Sequence, residues 1–377
     1  MPIFYFYTNI LAPYMFHRWR MIAKSFPGSF VVLTRKPDPE RPWPYKPDQM
    51  DFPCISATET FRLSNHLAWS KDLPRVIRET KNKRVVHLLE DVSGLNDLTI
   101  MGLSRNSTFV MVNDGGFVEA TRRPTQWLRW NLVGRRCFGV MTPGEAGRRY
   151  MLAWGFPSNR IYNSYLSHDV GAFTAYRESE QADKDRNELR NTLGVKPTDI
   201  LALCVSRFLD WKRIEDLAES IQYLPEQICE RLILILIGDG SYKSPLLALQ
   251  SQTDIRFKWV PSVPYEEMMK YYAVSDFIVF PSEGDIWGLV VNEALSMGKP
   301  VICTDKIGAS ELVTDHWNGF KVAARSAKAL AQAIEYLAKN EQARIDMSNN
   351  AKIIELTWHS GLFIDELKRV VRNLNLE

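Results

Sequence analysis

Nothing in this 377-residue chain is apolar for long enough to span a bilayer, which takes about 18 to 20 consecutive residues. The opening stretch from Met1 to Arg20 has no basic region ahead of its apolar residues, as a secretory leader would. Cysteine is sparse: Cys54, Cys137, Cys204, Cys229 and Cys303 are odd in number, widely scattered and free of any Cys-x-x-Cys pair. That pattern speaks against a disulfide framework and against a zinc site. Internal repeats and low-complexity tracts are missing too. These absences lead us to expect a soluble protein of the reducing cytoplasm, neither secreted nor integral to a membrane.

The composition, 45% hydrophobic and 24% charged, is ordinary for a globular chain, and the length exceeds what one hydrophobic core usually organises. The net charge of +3 conceals an asymmetry, with +9 over residues 1–172 and −6 over residues 173–377, so the front half favours an anionic partner. Short β-branched and aromatic runs at Phe4–Tyr7, Phe30–Leu33, Arg84–Leu88 and Thr108–Val112 are spaced for intervening helices. The rhythm returns at Ile200–Val205, Leu232–Ile237, Phe257–Val260, Phe277–Phe280 and Pro300–Thr304, with helical patterns at Ile214–Ile221, Tyr265–Val274 and Trp287–Met297. Alternating strands and helices of this kind build parallel sheets.

The expected fold is therefore α/β, with two doubly wound domains over residues 1–172 and 173–377. The polar run Tyr176–Asn191 reads as an exposed linker without an apolar face, and Asp183 and Asp185 within it read as surface charge rather than a metal motif. A last helix, about Phe363–Leu374, follows another helix and is a candidate to pack back across the junction.

The stretch from Phe280 to Ile302 joins a strand, a glycine-containing loop, a helix and a further strand. In open α/β sheets ligands bind beyond the carboxyl ends of strands, where a helix N-terminus offers unpaired N–H groups to a diphosphate. Gly288 lets the backbone approach closely. Asp285 and Glu293, with seven residues between them, put one acid in the loop and the other about two turns into the helix. They are suited to gripping two parts of one extended ligand, although taken alone they read first as a helix-capping acid and a surface glutamate. Upstream, Arg207 and Lys212 follow a strand and precede a helix, where two cations can neutralise charge on a departing diphosphate; alone they also fit a solvated helix start.

Together these segments resemble glycosyltransferase family 4, the retaining GT-B enzymes. Pro281, Ser282, Gly288, Leu289, Glu293, Ala294, Gly298, Pro300 and Val301 match that family's pattern; Trp287 replaces its usual Phe, and Asp285 replaces the first Glu of its paired acids. Arg207 and Lys212 match its basic segment, although Ser206 and Arg213 stand where it has glycines. The strand ending in Gly238 and Gly240 and the segment Tyr271–Ser282 are also similar, so the resemblance is strong over residues 200–322. Thr142–Gly144 and Tyr150–Ile161 extend it weakly into the first half.

The resemblance implies two Rossmann-like domains facing across a cleft that closes to exclude water, and metal-independent transfer of a sugar from a nucleotide-diphosphate donor to a glycan or lipid-linked acceptor. It implies catalytic roles for Arg207, Lys212 and Asp285, and donor contacts from Glu293, Gly238, Gly240, Ile286, Trp287, Gly288 and Leu289. Acceptor duties fall to the first half, for which Asn9, Tyr14, His87 and Asp114 are candidates; His87 and Asp114 are placed there because each follows a candidate strand. No metal or other cofactor is expected, the nucleotide sugar being a substrate. A nucleotide-sugar epimerase or hydrolase of the same fold, and a non-catalytic sugar-nucleotide-binding homologue, are the alternatives. Basic residues alternating with Trp127 and Trp130 between Arg122 and Cys137 suit anionic lipid headgroups at the inner membrane face or phosphate-bearing acceptors, or equally a solvated helix face. No nucleic-acid motif accompanies them.

Overall fold

The computed structural model of the chain describes residues 2–8, 10–33, 45–57, 60–64, 67–70, 73–74, 85–90, 100–102, 107–113, 134–242, 256–261 and 263–376. Two compact units emerge, one of Met1–His168 with His359–Glu377 and one of Asp169–Trp358.

The first unit carries β1 (Ile3–Thr8), β2 (Phe30–Leu33), β3 (Cys54–Ser56), an antiparallel hairpin of β4 (Thr60–Ser64) and β5 (Leu67–Ser70), then β6 (Val85–Glu90), β7 (Thr108–Val112), β8 (Gly139–Thr142) and β9 (Ile161–Asn163). Seven of them form a parallel sheet in the order β3-β2-β1-β6-β7-β8-β9. The runs IFYFYT and VVHLLE are almost wholly buried because strands covered on both faces read as continuous apolar segments.

The helix Ser360–Asn373 completes this unit by packing on the helix Pro13–Ser25 and on β9. Phe363, 0% exposed, lies 4.5 Å below the Arg18 guanidinium, which donates to the Ser164 and Tyr165 carbonyls at 3.0 Å each. Asn373 donates to the Tyr162 hydroxyl at 2.9 Å, and Ser167 and Ser360 share a hydroxyl bond of 3.0 Å.

The second unit contains β10 (Ile200–Val205), β11 (Leu232–Ile237), β12 (Arg256–Val260), β13 (Phe277–Phe280), β14 (Val301–Thr304) and β15 (Gly319–Val322), all parallel in the order β12-β11-β10-β13-β14-β15. Central β11 reads LILILI and is buried throughout, whereas edge β12 reads RFKWV and is only partly covered. Lys258 and Lys321 mark the two edges with charge, which discourages further pairing. Leu330, Ala331, Ile334, Leu337 and Ala338 make the buried stripe of the helix Ala327–Lys339, at the spacing a helix needs to lay one face on a sheet.

One sequence expectation is corrected here. The charged run after Tyr176 is no linker: Glu180–Thr192 is a helix, capped by the Ser179 hydroxyl and packed on the helix Met268–Val274. Asp183 is exposed as expected, but Asp185 is 7% exposed and accepts from the Tyr176 hydroxyl and the Gln181 amide at 2.8 Å each. Hydrogen bonds replace the water that this carboxylate loses, so a charged residue faces inward where polarity alone predicted outward. Among the described residues no helix is long and apolar enough to cross a membrane.

Candidate functional site

Strand order locates the site. Chain-order neighbours β10 and β11 lie to one side, while β13, β14 and β15 run the other way, so the order reverses between β10 and β13. At such a reversal the loops leaving adjacent strands diverge and open a crevice beyond the carboxyl ends. The two motifs leave these two strands: Arg207 and Lys212 follow β10, and Asp285 and Gly288 follow β13.

The loops are tied together. Glu283 N–H donates to the Trp211 carbonyl at 2.9 Å and the Ser282 hydroxyl reaches the same oxygen at 3.4 Å. Lys212 then donates its Nζ to an Asp285 carboxylate oxygen, both side chains being largely covered at 9% and 19% exposure. The ammonium also lies 4.4 Å from the Trp211 ring centre and 5.1 Å from that of Phe280. Asp285, one methylene shorter than glutamate, is seated by its backbone as well: Gly308 N–H donates to its carbonyl at 3.3 Å, and Ala309 N–H to the Trp287 carbonyl at 2.8 Å. Arg207 is exposed and has no side-chain hydrogen bond or ion pair among the described residues, which leaves its guanidinium available to an anion.

Arg213, where the family pattern has glycine, holds the backbone that glycine favours, with φ 51° and ψ 38°. A left-handed non-glycine residue costs about 1–2 kcal/mol. Ion pairs of 2.6 Å to Glu215 and 2.6 Å to Asp216 offset that cost and hold the guanidinium in place.

Gly238 and Gly240 have φ of 141° and 154°, and a Cβ at either would stand 1.8 Å from the Ser206 carbonyl oxygen or 2.4 Å from that of Phe208. They press the turn after β11 against the loop carrying Arg207, where Phe208 N–H donates to the Asp239 carbonyl at 2.9 Å. Gly238→Ala should therefore displace the Arg207 loop and destabilise the second unit by about 2 kcal/mol, the scale of an overpacked core; a urea melt that superimposes on that of the wild type would rule this out.

Gly288, with φ 94°, starts the helix Leu289–Ser296 and leaves its first N–H groups beyond β13. Ile286 and Leu289 on either side are partly exposed. Glu293, in the second turn, is 6% exposed and accepts from the Tyr272 hydroxyl at 2.6 Å and the Tyr265 hydroxyl at 3.1 Å. Burial pushes its carboxyl up to about 7, against the opposing pull of the two hydroxyls.

Two expected site residues lie elsewhere. The Trp287 side chain is 1% exposed, stacks on Trp358 at 4.6 Å between centroids and donates to the Asn292 side-chain oxygen at 2.7 Å. The indole is thus a core packing element, and only its backbone borders the loop. His87 does not follow β6 but occupies its middle, 0% exposed, with Nδ1 2.8 Å from the Tyr7 hydroxyl and its ring stacked 5.2 Å from Phe109. Burial lowers its imidazole to about 3, which suits a neutral core ring rather than an acceptor-facing acid or base. Tyr14 is in the first helix and partly buried. Asn9, Asp114 and the segment with Trp127 and Trp130 lie outside the described residues.

Sequence reasoning missed Trp211, Tyr265 and Tyr272. Trp211 stands inside the basic motif already singled out, and Tyr272 beside the Tyr271 that began another matched segment. Among the described residues no group of three His, Cys, Asp or Glu side chains is arranged to hold a metal ion.

The family-model match falls on the same unit. Residues 185–353 match the family model Glycosyl transferases group 1. The chain is 32% identical over 186 residues to a putative teichuronic acid biosynthesis glycosyltransferase of Bacillus subtilis (strain 168), covering 46% of this chain and 45% of that protein. It is 23% identical over 169 residues to the N-acetyl-alpha-D-glucosaminyl L-malate synthase of Bacillus anthracis, covering 45% and 44%. The chain thus spans less than half the length of either relative. Among solved structures, Anabaena HepE in complex with UDP superposes with a TM-score of 0.77 at 19% identity, covering 100% of both chains. WaaG, a glycosyltransferase involved in lipopolysaccharide biosynthesis, superposes with a TM-score of 0.67 at 16% identity, covering 98% of this chain and 99% of that one. The two Rossmann-like units are those of the GT-B fold, as expected from the sequence.

Proposed function

We propose that the chain is a retaining, metal-independent glycosyltransferase that moves a sugar from a nucleotide-diphosphate donor to a glycan or lipid-linked acceptor in glycoconjugate or polysaccharide biosynthesis, working in the cytoplasm and at the inner membrane face. The observation that carries this reading is the joining of the two motifs at the strand reversal, where the Lys212 ammonium pairs with Asp285 and the same loop carries Arg207, exposed and without an ion pair among the described residues. Two cations there can take up the charge that develops on the leaving diphosphate, worth about 1.5–3 kcal/mol for each charge-assisted hydrogen bond. Glu293 takes the ribose hydroxyls, the backbone of Gly288 and Leu289 at the helix start takes phosphate oxygens, and Asp285 faces the transferred sugar.

Thermal unfolding without divalent metal tests the donor site. UDP and UDP-glucose head the panel because Anabaena HepE was solved with each of them, and other nucleoside diphosphates and their sugars complete it. A ligand at a hundred times its Kd should stabilise the wild type by about 2.7 kcal/mol, with the shift lost in Arg207→Ala and in Glu293→Ala. No shift from any member of the panel would remove the transferase reading.

A further inference from the structure

We propose that Trp211 is the platform on which the donor's transferred sugar stacks, a role that rests on the reading of the site as a nucleotide-sugar site. Several observations meet at this side chain. The backbone of Trp211 is fixed by two donors from the acidic loop, Glu283 N–H and the Ser282 hydroxyl. Yet the residue keeps 38% of its surface exposed, whereas Phe280, the other ring near the Lys212 ammonium, is at 1%. Its indole N–H has no hydrogen-bond partner among the described residues. Apolar burial therefore does not account for the ring, and its anchored backbone holds it at one place beside the catalytic pair.

The Lys212 ammonium, 4.4 Å from the ring centre, ties that place to the chemistry. The same ammonium pairs with Asp285. The group nearest to both the leaving phosphate and Asp285 is the sugar joined to that phosphate. The nucleobase, joined to the ribose that Glu293 is proposed to hold, is further along the donor from that phosphate. A pyranose offers a face of C–H groups that covers an indole and a rim of hydroxyls that accept from the indole N–H. An exposed tryptophan with an unused donor matches both features.

The test compares each nucleoside diphosphate with its sugar conjugate by titration calorimetry, beginning with UDP and UDP-glucose and ending with the pair that binds the wild type most tightly. Trp211→Ala should raise the Kd of the nucleotide sugar by about tenfold, an aromatic-contact effect, and leave that of the bare diphosphate within about twofold. Trp211→Phe, which keeps the ring and the fold, should recover most of the loss. Equal weakening of both ligands would overturn the proposal and reduce Trp211 to a support for Lys212. Unchanged affinity for both would overturn it as well, including the case where only acceptor turnover suffers. Failure of the underlying reading is recognised separately, since the wild type itself would then bind no nucleoside diphosphate.

Discussion

Lys212→Ala is expected to lower kcat by about 10²–10³-fold, the usual loss when one preorganised charge at a developing anion is removed. The ammonium is 9% exposed on its side chain, so little water competes for it, and its charge acts through protein rather than solvent. The same substitution strands the Asp285 carboxylate, 19% exposed, without its partner. Asp285→Ala should then cost less in the Lys212→Ala background than in the wild type, because the two groups act as one unit. A double-mutant cycle on single-turnover rates measures this directly. Additive losses would mean that each residue serves the reaction independently and that their pairing belongs to the ligand-free state alone.

Glu293→Gln should separate stability from binding. In the folded protein the carboxyl titrates at about 7, against an ordinary value of 4.5, chiefly because burial penalises its charge. Below the unfolded value both states hold the proton and the site costs nothing. As pH rises through the interval the unfolded chain ionises first, stability falls, and above the folded value the full penalty of about 3 kcal/mol is present. Glutamine keeps an acceptor for the tyrosine hydroxyls without the charge. Its stabilising effect relative to wild type should therefore be slight near pH 4.5 and grow by about 2 kcal/mol between pH 5.5 and pH 8, while donor affinity falls. Urea melts at both pH values decide the matter. A constant difference would show that Tyr265 and Tyr272 solvate the carboxylate as well as water does.

What the sequence disclosed of this site and what it withheld follow from chain distance. The loop and helix from Pro281 to Ser296 were legible because strand, glycine turn and helix start are consecutive, and each leaves a local mark. Arg213 was flagged as a departure in a glycine position, but its left-handed backbone and its two carboxylate partners emerge only from coordinates. The side chain of Trp287 went astray because Trp358, the ring it stacks on, lies far along the chain. His87 was read as following a strand although the apolar run Arg84–Leu88 contains it, and a position inside a central parallel strand is core rather than rim. Asp185 shows the limit of charge as a guide: with Tyr176 and Gln181 to hold it, an acid belongs inside. The strand rhythm survived all of this, because central parallel strands such as β10 and β11 must be apolar along their whole length.

The return of Ser360–Asn373 to the first unit sets an order on biosynthesis. Translation reaches His168 with the first sheet complete, yet the helix that packs on Pro13–Ser25 and puts Phe363 against Arg18 emerges only after His359. At typical elongation rates the ribosome needs about 10–40 s for the intervening stretch. For that time the surface around the Pro13–Ser25 helix waits uncovered, and the second unit, encoded without interruption, can finish folding before the first.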